Sequence, residues 1–559
     1  MKEISKITHK VDFCVVGGGM AGVCAAISAA RHGAKVVLMQ DRPMLGGNAS
    51  SEIRMWICGA HGKDRRETGI LEEILLENFY RNTGLKYTVW DTVIYEKVKS
   101  EANITLLLNC TCLDAKCENE KIQSVKGWQM TTQTFHTVEA SIFADCSGDS
   151  ILAPLTGADF TFGRESKEVF GEQMAPDVSD EKTMGNSCII EIRETNSPKQ
   201  FIKPKWAYTY KNDSDLPEAS HNLWSNFWWI EGGGNGDTIK DAEENRDELL
   251  KIAYGVWDHF KNQGDHGFEN WELDWIGVLP GKRESRRYLG DIVVRQQDVQ
   301  SGGHFDDVVA YGGWSIDNHD PNGFYHRDGQ QDVHEPAESP WGIPYRSLYS
   351  RNIDNLMFAG RNISVSHVAL SSSRVMATCA VCGQAVGTAA AIATSCNIMP
   401  KDIDVHKLQD KLRDDDCMIP FSTRKISDLS KNAEITHEKA RTGIERGDDE
   451  RVILKLNEKV TYTLTSPKKI SEVRIVFDSN LNRPYDNMPC RVQLNEEKYK
   501  LPKTLVKDFN IIADGKVVFE YKNNRQRLVK IPLDIMASQI SLQPIATHGE
   551  EFAAIFRLK

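Results

Sequence analysis

An α/β fold carrying an inserted domain and followed by an all-β sandwich is the architecture that this 559-residue sequence predicts. Three observations predict it. Near the N-terminus a β-branched strand pattern stops at a cluster of glycines, and a small-residue helix pattern starts at once. From about residue 160 to 340 the composition turns to tryptophans and Gly-rich turns, after which the strand and small-residue helix pattern returns. Beyond residue 422 a polar connection leads into short strand-like runs separated by Asn, Asp, Gly and Pro.

The first element is a strand ending at Val16. Gly17, Gly19 and Gly22 follow in G-x-G-x-x-G spacing, and the pattern predicts a helix over 21–32. Gly17 makes the tight turn, Gly19 lets backbone N–H groups approach a pyrophosphate, and Gly22 lets helix and strand pack closely. The helix N-terminus, with Met20 and Ala21, puts its partial positive charge beneath the phosphates. Gly33 ends the helix, and 35–39 reads as a second, parallel strand. These parts fall within one βαβ unit and open a Rossmann-type FAD/NAD(P)-binding fold. The acidic residue expected at the ribose is replaced by Gln40, with Asp41 after it. An amide can still hydrogen-bond a ribose, so this position leaves the nucleotide open.

Later segments bear on the cofactor by resemblance. Asp41, Arg42, Gly46, Gly47 and Asn48 stand in a segment, 41–50, that resembles the stretch after the second strand in FAD-dependent oxidoreductases. There a Gly-Gly pair passes close to the flavin diphosphate. Residues 144–149, with Ser147, Gly148 and Asp149, resemble the returning strand whose turn closes over the adenosine half. Residues 355–362, with Gly360 and Arg361, and 379–390, with Gly383, resemble the C-terminal flavin motif. Through 40–52 and 343–364 the chain is similar to a bacterial family of FAD-dependent oxidoreductases, distantly similar to fumarate-reductase-type flavoproteins. The resemblance implies FAD as cofactor.

The domains expected are a flavin domain in two parts, 1–160 and 341–420, a substrate domain over 161–340, and a jelly-roll-like sandwich over 430–559. Such a length exceeds one core. Alternation over 123–143 predicts a small antiparallel sheet, and 405–413 a helix. A net charge of −11 without a dense basic cluster argues against nucleic acid or an anionic membrane as partner. No apolar stretch is expected to span a bilayer. Residues 1–10 lack the apolar core of a secretory signal, and thirteen cysteines, an odd number, suit a reducing compartment; a cytoplasmic location is expected.

Residues 281–288 pack four cations and a carboxylate together, and guanidinium forks suit a substrate carboxylate. Arg283, Glu284 and Arg287 are expected to line an active site, with Arg286 a structural partner. Asp317 and His319 lie on a Gly-flanked loop where the carboxylate can set the imidazole tautomer and make it a base. His367, just after the Ala-Gly-Arg turn, is the other candidate base, and Arg374 can stabilise negative charge at the flavin edge. Tyr345 and Arg346 are substrate contacts by resemblance. Cys379-x-x-Cys382 has redox spacing but sits in a small-residue run suited to close helix packing against FAD. Cys58 and His61 suggest a covalent flavin link or a metal. Cys110, Cys112 and Cys117, read as a loop, lack the partners of a zinc site, and no metal is predicted. Trp224, Trp228, Trp229, Trp271, Trp275 and Trp314 offer stacking faces, though most tryptophans fill cores.

The function expected is a FAD-dependent dehydrogenase moving hydride from a small polar substrate, a carbohydrate or sugar acid, to flavin N5. A redox-neutral FAD-assisted lyase or hydrolase and a non-catalytic carbohydrate-binding flavoprotein are its rivals. No second glycine fingerprint is present for NAD(P)H, and the electron acceptor and oligomeric state stay open.

Overall fold

The computed structural model describes residues 4–217, 226–485, 487–489 and 499–559. Trp224 therefore lies outside the described residues. Strand β1 (Ser5–Val16) is buried over its last four residues, and helix α1 (Met20–Arg31) follows after three glycines. Strands β2 (Val36–Met39), β3 (Ile104–Leu107), β4 (Cys110–Glu118), β5 (Lys121–Gln129) and β6 (Thr134–Asp145) complete a sheet of order β3-β2-β1-β6-β5-β4. Neighbours from β3 to β6 run parallel, and β4-β5-β6 is an antiparallel meander. A short strand, β7 (Leu356–Phe358), returns from the second half of the chain and pairs in parallel with the end of β6. The sheet thus closes with strands drawn from both halves, as a doubly wound fold requires.

The meander begins at Cys110, so the cysteines read as a loop stand on a strand, with Cys110 and Cys112 facing inward. Its two bulges break the period-2 pattern that alternation relies on. Helix α3 (Met376–Cys396), numbered after α2 (Ala242–Asn262) in the inserted lobe, packs along α1. Alpha3 corrects one expectation: its 21 residues are long and apolar enough to cross a membrane. It is instead sealed inside the protein, because α1, the sheet and the strand Val308–Gly312 cover its faces. The helix expected over 405–413 is Val405–Asp414.

The inserted lobe has a core of its own, built from α2 and the rings of Trp229, Trp257, Phe227, Phe260, Phe268 and Phe324. At the C-terminus two long strands, Val460–Phe477 and Leu528–Thr547, pair with each other through register shifts and run through both layers of a β-sandwich. In one layer the first pairs with Phe552–Leu558, which carries Val452–Lys455 on its far side; in the other the second pairs with Val506–Ala513, which carries Lys516–Tyr521. Phe477 of one layer meets Phe509 of the other at 5.2 Å between ring centres. The hydrophobic core of the sandwich is continuous with that of the α/β layer.

Candidate active site and cofactor cavity

The glycine turn begins where β1 stops. Gly17 has φ +103°, and its N–H donates to the Met39 carbonyl at 2.8 Å, tying the ends of β1 and β2. A side chain there would run into the backbone of Cys146, and one at Gly22 into the Gly17 carbonyl. Gly19 is the N-cap of α1 and offers no side-chain cap to its first N–H groups. It bridges to Gly46, whose N–H donates to Gly18 at 2.8 Å, so two glycine segments approach backbone to backbone. A cavity of about 680 Å³ opens over this turn. Its wall holds Gly17, Gly19, Met20, Ala21, Gln40, Asp41, Arg42, Gly46, Gly47, Asn48, Ser147, Gly148, Asp149, Gly360, Arg361 and Arg374.

Two expected cofactor residues lie off that wall. Gly22 packs α1 onto the turn, as its spacing predicts. Gly383 corrects the reading: it faces α1, and a side chain there would strike the Ala21 carbonyl. The N-terminal end of α3, with Val375, Met376 and Cys379, is what reaches the cavity. Gln40 also differs. Its Oε1 accepts from the Gly18 N–H at 2.6 Å and its Nε2 donates to the Met44 carbonyl at 3.0 Å, so the amide braces the glycine turn rather than waiting for a ribose. Half-exposed Asp41, next in the chain, has its carboxylate open to solvent at the same wall.

The residues fit a dinucleotide. An uncapped helix N-terminus, glycine against glycine, and the buried, unpartnered Nε groups of Arg361 and Arg374 together suit a pyrophosphate and a flavin edge. Asp149 anchors this half of the wall, bonding Lys282 at 2.8 Å, Arg361 at 2.6 Å and Ser285 Oγ at 2.8 Å. Burial would raise its carboxyl, but Arg361 and Lys282 prevail and bring it down to about 2.

A string of charges crosses the other part of the wall. Arg283 Nη2 lies 2.8 Å from Glu231 Oε2, which also meets His319 Nδ1 at 2.9 Å. His319 Nε2 lies 3.1 Å from Asp317 Oδ1, and Asp317 Oδ2 accepts from Arg374 at 2.9 Å and from Trp314 Nε1 at 3.2 Å. Burial works against a charged His319, yet Glu231 and then Asp317 outweigh it and Arg283, so its pKa is raised. Asp317 is held far below the usual carboxylate range by His319 and Arg374 in spite of burial. His319 thus keeps its proton, between two carboxylates, to a higher pH than an ordinary imidazole. Both His319 and Asp317 stand at the cavity wall.

Glu284, Arg287 and His367 are corrected in place. All three are buried and none lines the cavity. Arg287 pairs with Glu284 and with Glu165 at 2.7 Å, while His367 Nδ1 meets Glu284 at 3.0 Å and its Nε2 meets Asn318 Oδ1 at 3.2 Å. They form a layer beneath the strand that carries Asp317 and His319. His367 opens the helix His367–Ser373, capped by Ser366, which turns its ring inward. Tyr345 is spent on the Pro400 carbonyl and Arg346 on Asp307, so neither meets the cavity. Arg286 does reach it, donating to the Asp149 carbonyl. Cys58 lines this cavity, but His61 faces an adjoining one and packs on Trp314. Trp228 and Trp314 are on the wall; Trp229 and Trp271 are core, and Trp275 stacks under Arg54. Sequence reasoning missed Glu231, Lys282, Asp332 and His334. Glu231 stood directly before the Gly232–Gly234 run, and that position was its only signal.

A model of the family described as FAD dependent oxidoreductase matches residues 12–412. The chain belongs to this family. It is an oxidoreductase, and FAD is its cofactor. A 70-residue stretch is 34% identical to a glycerol-3-phosphate dehydrogenase of Mycobacterium leprae, 12% of each chain. A 39-residue stretch is 59% identical to a cytochrome-type fumarate reductase of Shewanella frigidimarina, 7% of each. The chain therefore spans 12% or less of the length of these curated relatives. Among solved structures, a geranylgeranyl bacteriochlorophyll reductase-like protein of Thermoplasma acidophilum aligns over 74% of this chain and 85% of its own, at 12% identity and TM-score 0.33. A family 32 carbohydrate-binding module from Streptococcus pneumoniae EndoD aligns over 24% of this chain and 97% of its own, at 17% identity and TM-score 0.19.

Proposed function

We propose that the enzyme oxidises a carbinol carbon of a small, oxygen-rich substrate, a sugar or sugar acid. The observation that carries this reading is His319, held between Glu231 and Asp317 and flanked by Arg283 and Arg374 in the cavity that contains the glycine turn. FAD, when bound, accepts hydride at N5. Arg283 and Arg374 orient the substrate's oxygens or carboxylate through their forks. His319, once neutral, takes the hydroxyl proton at Nε2, and Glu231 holds the ring through Nδ1. Trp228 and Trp314 offer flat faces for a sugar ring. In the reverse direction the protonated His319 supplies the proton. The test is the visible spectrum of the FAD-loaded enzyme, followed without oxygen as sugars, sugar acids and simple 2-hydroxy acids are added. Bleaching by a sugar or sugar acid is expected. Bleaching only by other compounds would remove the carbohydrate assignment, and multiple turnovers on a sugar with no acceptor present would replace oxidation by redox-neutral elimination.

A further inference from the structure

The last turn of α2 carries His259, fully buried, and His266 follows just past Gly264, which has φ +88°. Asp213 opens the short turn Asp213–Asp215 from another part of the same lobe. One ligand atom from each of the three lies within 4.8 Å of the other two. Asp213 Oδ1 is 3.1 Å from His259 Nε2 and 3.6 Å from His266 Nε2. In a tetrahedral site with metal–ligand bonds of about 2.0–2.1 Å, neighbouring ligand atoms stand about 3.3–3.4 Å apart. The two observed edges bracket that value.

The hydrogen-bond chemistry points the same way. His259 Nδ1 lies 3.0 Å from the Tyr210 carbonyl, which can only accept, so Nδ1 carries the hydrogen. In a neutral ring, Nε2 then presents a lone pair toward a carboxylate. His266 turns its Nε2 to the same oxygen, and the two rings are 4.8 Å apart between centres. Satisfying both with protons would require His259, whose Nδ1 already donates, to be an imidazolium packed between His266 and Phe260. One divalent cation does the same work with neutral rings, and the carbonyl on Nδ1 is the outer partner that metal-bound histidines usually have.

We propose that Asp213, His259 and His266 bind a divalent metal ion of the zinc class. Among the described residues, two imidazoles and a carboxylate make a borderline donor set suited to such an ion. None of the three residues lines the cofactor cavity. The ion fastens the Asp213 turn to the end of α2 and is a site separate from the redox chemistry.

The experiment uses the full-length, FAD-loaded protein, exposed to zinc, freed of loosely held metal by gel filtration, and analysed by elemental mass spectrometry. One zinc per chain is expected, and replacing it with cobalt(II) is expected to give the visible bands of a tetrahedral site. His266→Ala and Asp213→Ala are expected to weaken zinc binding by more than the roughly 10–100-fold that loss of an outer partner costs. His304→Ala, a histidine outside the cluster, is expected to keep the metal. FAD content reports whether each variant has folded. Substoichiometric zinc in the wild-type protein, or zinc retained in full by FAD-loaded H266A and D213A, would overturn the proposal.

Discussion

At His319, burial and charge oppose each other and charge prevails. The ring is enclosed, which disfavours the imidazolium, but Glu231 and Asp317 hold it protonated to a higher pH than an ordinary histidine. Its sign fixes the pH profile. A base must be neutral, so substrate oxidation is expected to be lost as pH falls through this raised pKa and complete above it. The acid limb should therefore lie above 6.5, the ordinary imidazole value. Glu231→Gln removes a carboxylate while Arg283 stays, so the limb should move to lower pH in a plot of kcat/KM. A limb that does not move would show that another group titrates. His319→Gln, unable to exchange the proton, should lower kcat by about 10²–10⁴ with smaller change in KM. In sequence His367 stood nearly level with His319, which had a slight preference. Long-range partners separate them: Glu284, 83 residues away, claims His367 and turns it from the cavity.

The glycine turn and its helix were legible because every cause is local. Gly17, Gly19 and Gly22 lie within six residues, and each conformational need can be stated from spacing alone. The small residues of α3 were legible as a pattern but not in their purpose. Gly383 and Gly387 are one turn apart and face the carbonyls of Ala21 and Ala25, themselves one turn apart on α1. Two helices thus meet at backbone distance, and Ser28 Oγ lies 2.8 Å from Thr388 Oγ1 beside them. The close fit fixes α1, and with it the N-terminus over the phosphate position. A methyl group at either glycine has to push α1 away. Gly383→Ala is expected to cost about 1–3 kcal/mol and to lower both the thermal midpoint and FAD retention. Gly33→Ala is a different case: no atom lies within 4 Å of the added carbon, so strain comes only from φ +94°. It should leave FAD bound. Equal FAD loss in both would mean that the helix contact is not what holds the site.

At the scale of the molecule the C-terminal sandwich is part of the cofactor wall's support, although its sequence reads as a separate run of strands. Asn487 Oδ1 accepts from the Ile57 N–H at 2.8 Å, and the next residue, Cys58, lines the cavity. Asn482 holds Asp64 of the same loop. Arg483 reaches 411 residues back to Glu72, with Nη1 2.8 Å from Oε1, and both side chains are only 1% exposed. Pairs so distant leave no trace in composition or periodicity, which is why the strands were legible and the docking was not. Burying an ion pair adds little net stability, but removing one partner strands the other charge in a dry interior. Arg483→Ala is therefore expected to cost about 3–5 kcal/mol, with FAD released early in thermal unfolding because the Ile57–Asp64 loop loosens. Glu72→Leu combined with Arg483→Met removes both charges and should recover most of that loss. Recovery in the double variant, measured by denaturant midpoint and by flavin fluorescence on release, would assign the effect to the stranded carboxylate. Failure to recover would assign it to the shape of the interface, where Arg483 also packs over Phe79 at 5.3 Å. Either way a chain ending before the sandwich would expose the buried Glu72 and the continuous core, and should be unable to keep FAD.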